Sequence, residues 1–443
     1  MKRKAILCLL LILSMLLVSA CDGKTPETTK PAAKDPVTIR LAVWGGEARF
    51  KLYDQVFALY TTENPHVTLQ KEYLAWSDYW VKKATQAAGN NLPDMTNVSW
   101  YSIREYADKG MYVPLQPYVD SGVIKTDGFL DLVLDTGKVD GVLYALPIGV
   151  SIDGLMHNKT LIESVGMEPP SFEISYEDFT DYVLELQSKL PDNIWAITDQ
   201  GRDQKVAATY IRQKFGVEFY SDDGKALGFT KENLKDWMNW WQVFRDAGAV
   251  VPAEITAELE GGDPWADTVQ AREWVCLWSS PDNQLTIYQL YAEGEIGIGR
   301  WPFNASAQGN KWGEILLTTA FAIATNSNVK DDVAHLVNWF PYHIEGNRIF
   351  NADQGFVGVP EVVDMLKQKW TESEPQKVEF FNHANAVATS NPPVPPTVPW
   401  ATGHTAVVSA FERQYDEVRY GNKTIDQMVD DFFAEAETLL ANK

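Results

Sequence analysis

The chain has 443 residues, more than one ordinary hydrophobic core organises, so two domains or lobes are expected. Its hydrophobic content of 45% and charged content of 22% are those of a soluble globular protein. A net charge of −22 argues against nucleic acid and anionic membrane surfaces as partners. It argues more weakly against a polyanionic ligand, because a local patch can oppose the overall charge.

Lys2, Arg3 and Lys4 precede the apolar run Ala5 to Ala20, which is shorter than the roughly 20 residues of a membrane-spanning helix. Charged, apolar and small-residue regions in that order mark residues 1–20 as a secretory signal peptide. Its end, Val18-Ser19-Ala20-Cys21, resembles the lipobox of bacterial lipoproteins, which is cut before a Cys that carries diacylglycerol. Residues 21–36 then form a lipidated tether, polar and rich in Thr, Lys and Pro. Cys8 leaves with the leader and Cys21 takes the lipid, so the third cysteine, Cys276, has no disulfide partner. Set in Trp274-Val275-Cys276-Leu277, it reads as a buried small hydrophobe.

The first strand is Val37 to Trp44, and Gly45-Gly46 breaks it. A helix through Phe50, Phe57 and Tyr60 stops at Asn64-Pro65, and Val67 to Tyr73 is a strand. Ser77 is placed to cap a helix over Asp78 to Ala88, with Gly89 as its C′ residue. The short strand Met95 to Ser99 ends at Trp100-Tyr101. Strands alternating with helices predict βαβ units and a largely parallel sheet. Gly141 to Asn158 is apolar, extended and too long for one strand of a small lobe, so it is expected to run from one lobe into the other.

Beyond it the pattern is mainly helical. Ser175 with Asp178 caps a helix to Leu190, and Thr230 caps a helix ending near Gly248. The latter's Trp237, Trp240, Trp241 and Phe244 fall at three-to-four spacing, which marks core rather than cleft. A strand ends at Trp278-Ser279, and Ser280 is expected to cap a helix that starts at Pro281. Ile296 to Gly299 is a strand ending at Arg300-Trp301, and Ile315 to Thr325 is a second long apolar strand. A helix from Val329 to Tyr342 follows; Asn391 to Pro399 is polyproline-like and delivers Trp400, and Thr424 with Gln427 caps the last helix.

Tryptophans at strand ends beside polar residues suit carbohydrate. Sugar rings offer flat C–H faces to aromatic platforms and hydroxyls to carboxylates, amides and guanidinium groups. Trp44 with Glu47, Trp100 with Tyr101, Trp278 with Ser279 and Ser280, and Trp301 with Arg300 have that character. The six histidines show no HxH or HExxH spacing, no Cys pair can hold zinc, and GxSxG, GxxxxGK[ST] and GxGxxG before a helix are missing. No catalytic residue, metal or cofactor is therefore expected, although 60 acids leave a cell-surface glycoside hydrolase formally open.

The chain also resembles the family 1 extracellular solute-binding proteins of bacterial ABC transporters, the group that includes maltose-binding protein. The resemblance lies in the Cys21 lipobox, LAVWGGE, PDM through ADKGMYVPL, GVLYALPIGVSIDGLMHNKTLIESVGM, TTAFAIATNSNVKDDVAHLVNWF and PPVPPTVPW. It implies an α/β, two-lobed periplasmic-binding-protein-like fold (type II), its lobes joined by several crossing segments with the ligand cleft between them. Residues 37–147 and 316–370 would form the N-terminal lobe, and 148–315 and 371–443 the C-terminal lobe. Ligand-binding positions would be Trp44, Glu47, Trp76, Ser77, Trp100, Tyr101, Ser151, Asp153, Trp278, Ser279, Ser280, Asn283, Trp301 and Trp400. Maltose-type binders carry an acid where this chain has Ser151, with Asp153 two residues on, which argues against an α-glucan. The implied function is a monomeric, lipid-anchored protein on the extracellular face of the membrane. It would capture an oligosaccharide and deliver it to ABC transporter permease subunits. A peptide, glycerophosphodiester or polyamine ligand remains the alternative.

Overall fold

The computed structural model describes residues 34–259, 265–306, 311–356 and 358–441. The leader, Cys21 and most of the expected tether lie outside the described residues. The strands are β1 (Val37–Trp44), β2 (Val67–Leu74), β3 (Met95–Ser99), β4 (Lys138–Val139), β5 (Val142–Leu143) and β6 (Ala145–Asn158). They are followed by β7 (Trp195–Ile197), β8 (Val275–Pro281), β9 (Ile296–Arg300) and β10 (Leu316–Ile323). The main sheet has the order β2-β1-β3-β10-β6-β8-β7, with β9 also paired to β6.

β6 is the long apolar segment, and its two ends have different neighbours. Ala145 to Ile152 pair with β10, whereas Asp153 to Asn158 lie between β8 and β9. One strand therefore belongs to both halves of the sheet. The ladder to β10 shifts register between Thr319 and Ala320, leaving Ile148 as an extra residue beside Pro147. A bulge is where a sheet tolerates a proline, which has no N–H to donate. Gln354 to Phe356 run against the same stretch: Val150 and Phe356 exchange both backbone hydrogen bonds at 3.1 Å. Gly149 and Gly355 permit that approach, because a Cβ on either would overlap a backbone carbonyl, Gln354 O or Val150 O, and Gly355 has φ +96°.

The first βαβ units form as expected, with β2 and β3 both parallel to β1. The sheet as a whole is not largely parallel. β10 is antiparallel to β3 and β6, β6 is antiparallel to β8 and β9, and β7–β8 is the other parallel pair. Periodicity marks strands but not the direction in which a returning chain re-enters a sheet.

Several local signals hold. Asn64 caps the helix Glu47–Glu63, Ser175 accepts from Asp178 N, Thr230 and Asn233 form a capping box, and Thr424 and Gln427 pair reciprocally. Trp237, Trp241 and Phe244 are fully buried. Cys276 is free and buried, and burial pushes its thiol up to about 12. Two caps differ. The helix Trp76–Ala88 begins before Ser77, with Ala75 at its N-cap, and Gly89 is its C-cap at φ −85° rather than a left-handed C′ residue. Ser280 lies inside β8, whose backbone stays extended through Pro281, and the following helix, Leu285–Tyr291, begins after a 3₁₀ turn at Asp282–Gln284.

Candidate functional site

β1, β2 and β3 are parallel and end at Trp44, Leu74 and Ser99, so their carboxyl ends share one edge of the sheet. Register carries that edge onward, since Ser99 lies opposite Thr319 and Leu316 opposite Ile152. In the second half Asp153 lies opposite Pro281 and Gly154 opposite Arg300, so β8 and β9 end on the same line. Strand ends from both halves thus converge on the middle of β6. In open α/β sheets, ligands bind beyond such carboxyl ends.

An aromatic group covers part of this edge. Trp44, last residue of β1, has ring centroids of Trp76, Tyr79 and Trp80 at 5.2, 5.2 and 5.5 Å. Trp76 and Trp80 lie one turn apart on their helix and both reach Tyr101, at 6.3 and 5.6 Å. Tyr101 in turn lies 5.9 Å from Trp100 and 5.5 Å from His404. Trp100 and Trp400 meet at 4.4 Å, and Trp400 and His404 at 4.2 Å. Trp100 follows β3, yet it packs within the hydrophobic cluster of the second half. The group therefore runs without a break from one half of the molecule to the other. His404 Nδ1 lies 2.8 Å from the Tyr220 hydroxyl, and burial pulls the imidazole pKa down to about 3.

Beside the aromatics stands a polar group. Asp153 Oδ2 accepts from Lys205 Nζ at 3.0 Å, and Asp203, N-cap of the helix Gln204–Phe215, lies 3.4 Å from the same ammonium. Burial raises the Asp153 carboxyl above its ordinary range, with Lys205 opposing. Burial acts against the Lys205 ammonium, but Asp153 and Asp203 outweigh it and hold its pKa above the usual value. Asp282 is fully buried; its Oδ1 accepts from Ile152 N at 3.0 Å and its Oδ2 lies 3.0 Å from His383 Nδ1. Ser280 Oγ donates to Gln284 at 2.7 Å, and Ser151 is buried with its Oγ 3.4 Å from Leu317 O. Arg49 pairs with Asp353, whose carbonyl accepts from Asn283 Nδ2 at 2.9 Å.

The expected residues divide into four sets. Trp44, Trp76, Trp100, Tyr101 and Trp400 are in the aromatic group, and Ser151, Asp153, Ser280 and Asn283 are on or beside the central line. Trp76 is 46% exposed. Glu47 and Ser77 are exposed, with Glu47 paired to Lys51 on its own helix; Ser279 is half-buried. Trp278 and Trp301 depart from the expectation of open platforms. Trp278 packs inside the core with Tyr288 at 5.1 Å, and Trp301 packs with Phe179 at 6.1 Å. Side chains of a strand covered on both faces point into a core whichever way they turn, and both rings are so enclosed.

Trp80, His404, Lys205 and Asp203 escaped the sequence reading. Trp80 was marked by its four-residue spacing from Trp76; for the others the chain held no local signal. A separate pocket of about 450 Å³, lined by Gln187, Asp192, Asn193 and Trp195 among others, lies at the amino end of β7, the end opposite this edge. Among the described residues no group of three or more His, Cys, Asp or Glu side chains is placed to hold a metal, and no helix is long and apolar enough to cross a membrane.

A family model for the bacterial extracellular solute-binding proteins matches residues 44–340. A binding protein of Brucella abortus is 25% identical over 392 residues, covering 88% of this chain and 89% of that protein. The melibiose/raffinose/stachyose-binding protein MelE of Bacillus subtilis is 26% identical over 222 residues, 48% of this chain and 46% of its own. Among solved structures, a periplasmic oligogalacturonide-binding protein from Yersinia enterocolitica in complex with saturated digalacturonic acid superposes with a TM-score of 0.78. It is 17% identical, over 91% of this chain and 99% of that one.

Proposed function

The chain belongs to the family of bacterial extracellular solute-binding proteins, and from that premise we propose that it captures an oligosaccharide at the converging strand ends and passes it to an ABC transporter permease. The observation that carries the sugar reading is the aromatic group from Trp44 to Trp400, spanning both halves of the sheet with a polar group at its side. Edge-on and tilted aromatics offer area to C–H faces, while carboxylate, ammonium and hydroxyl groups hydrogen-bond the sugar hydroxyls. The half-exposed ring of Trp76 is the platform open to solvent. The similarity to MelE supports the same ligand class.

In this reading the two halves are lobes, residues 37–147 with 316–370 and 148–315 with 371–443, and the protein binds without turnover as a monomer. Cys21 carries the lipid that keeps it at the extracellular face of the membrane.

A thermal-shift screen against mono- and oligosaccharides, peptides and polyamines tests the ligand class. At about 100 times Kd, a sugar should add about 2.7 kcal/mol to stability. Trp76→Ala should weaken that sugar roughly 10-fold or more, with a loss of fold stability under about 1 kcal/mol, as expected of an exposed ring. A stabilising peptide or polyamine, with every sugar silent, would sink the carbohydrate reading.

A further inference from the structure

The pairing of charges along the central line favours one class of sugar. Lys205 lies between Asp153 and Asp203, at 3.0 and 3.4 Å. Arg202, just beyond β7, meets Asp416 at 3.0 Å and Glu412 at 3.5 Å. Arg49, just beyond β1, meets Asp353. Each of these three cations is thus already matched, and the carboxylates around them outnumber them. A uronide carboxylate is bound through guanidinium or ammonium groups that can turn to it. At each of these three it would have to displace a paired acid while standing among the others, where a low dielectric magnifies repulsion. The ammonium of Lys83, 4.8 Å from the Trp80 ring, donates instead to the Asn97 carbonyl and is sealed at 2% exposure.

Two buried polar atoms of these groups are left unpaired. Asp153 Oδ1 is sealed from solvent and has no hydrogen-bond partner, although Oδ2 of the same group holds Lys205. The indole Nε1 of Trp80, inside the aromatic group, is also sealed and unpaired. One is an acceptor awaiting a donor, the other a donor awaiting an acceptor, and each costs free energy while it waits. A hydroxyl can serve both, since it donates and accepts. A polyamine has no acceptor for Trp80, whereas a uronide keeps hydroxyls that serve both atoms, so the case against uronides rests on the pairing of charges.

We propose that the site takes a neutral oligosaccharide and rejects uronides, with Asp153 as the residue that fixes this choice. The proposal rests on the carbohydrate reading above. Asp153 Oδ1 accepts a sugar hydroxyl, and Lys205 and Asp203 hold the carboxylate in place.

Calorimetric titration with maltotriose, cellotriose, raffinose, stachyose, digalacturonic acid and spermidine tests it. At least one neutral sugar should bind, with digalacturonic acid about 100-fold weaker or worse. Asp153→Asn should weaken the neutral sugar by about 10- to 100-fold, the range for a hydrogen bond to a charged group, and should narrow the gap to the uronide. Melting curves on the variant verify its fold, and the wild-type comparison stands without it. Tighter binding of digalacturonic acid than of any neutral sugar would overturn the charge argument and leave the carbohydrate reading intact. Binding of spermidine alone would overturn both. An Asp153→Asn protein that melts normally and binds the neutral sugar within two-fold of wild type would remove Asp153 from the role.

Discussion

His404 opens the helix His404–Arg419 and is packed between Trp400, Tyr101 and Tyr220, where burial holds its pKa near 3. The unfolded imidazole titrates near about 6.5, so below that pH the unfolded chain binds a proton that the folded chain refuses. A folded pKa lowered in this way contributes nothing above pH 6.5 and removes stability as pH falls from there toward 3. Between pH 7 and pH 5 the loss through this residue should be about 2 kcal/mol. Urea melts of the wild type and His404→Gln at both pH values measure it; an identical pH dependence in the two proteins would contradict the assignment. The same scale shows why tryptophans divided as they did. Spacing placed Trp237 and Trp241 in the core because a helix has one apolar stripe. Trp278 lies within β8 and Trp301 just after β9, but whether a ring meets a cleft or a core depends on what covers that face of the sheet, and no residue near them in sequence says so.

β6 is the element that the two halves share. Its length and nearly continuous apolarity were visible in the sequence, and its change of partners at Ile152-Asp153 follows from having more residues than one half of the sheet can pair. The crossings Leu146 to Ile152 and Leu316 to Thr319 are where hinge closure of a two-lobed binder would be absorbed. X-ray scattering with and without a saturating ligand should then show a smaller radius of gyration in the bound state. An unchanged radius, with binding verified in the same sample, would count against a hinged clamp. The Gln354 to Phe356 contact on β6 was not legible beforehand, because Gly149 and Gly355 face each other only after some two hundred intervening residues have folded.

For the whole molecule, the proposed lipid anchor at Cys21 is the property that would place it. Cys21→Ser should release the protein to the medium or leave the leader uncleaved, as read by membrane fractionation and mass spectrometry of the N-terminal peptide. Co-fractionation of the variant with membranes carrying the same lipid would refute the anchor. What the sequence by itself determined is what short-range chemistry controls: the parallel βαβ opening, the capped helices, the Trp-rich core helix, the long crossing strand and the family to which the chain belongs. Each depends on residues within a few turns of one another, or on a pattern preserved along the chain. Tertiary structure alone decided the antiparallel return of β10, the enclosure of Trp278 and Trp301, and the meeting of Trp100 with Trp400. It also decided the pairing of Asp153 with Lys205 and Asp203. These join segments far apart in the chain. Their energies come from burial and from charge in a low-dielectric interior, and neither exists until the two halves have packed.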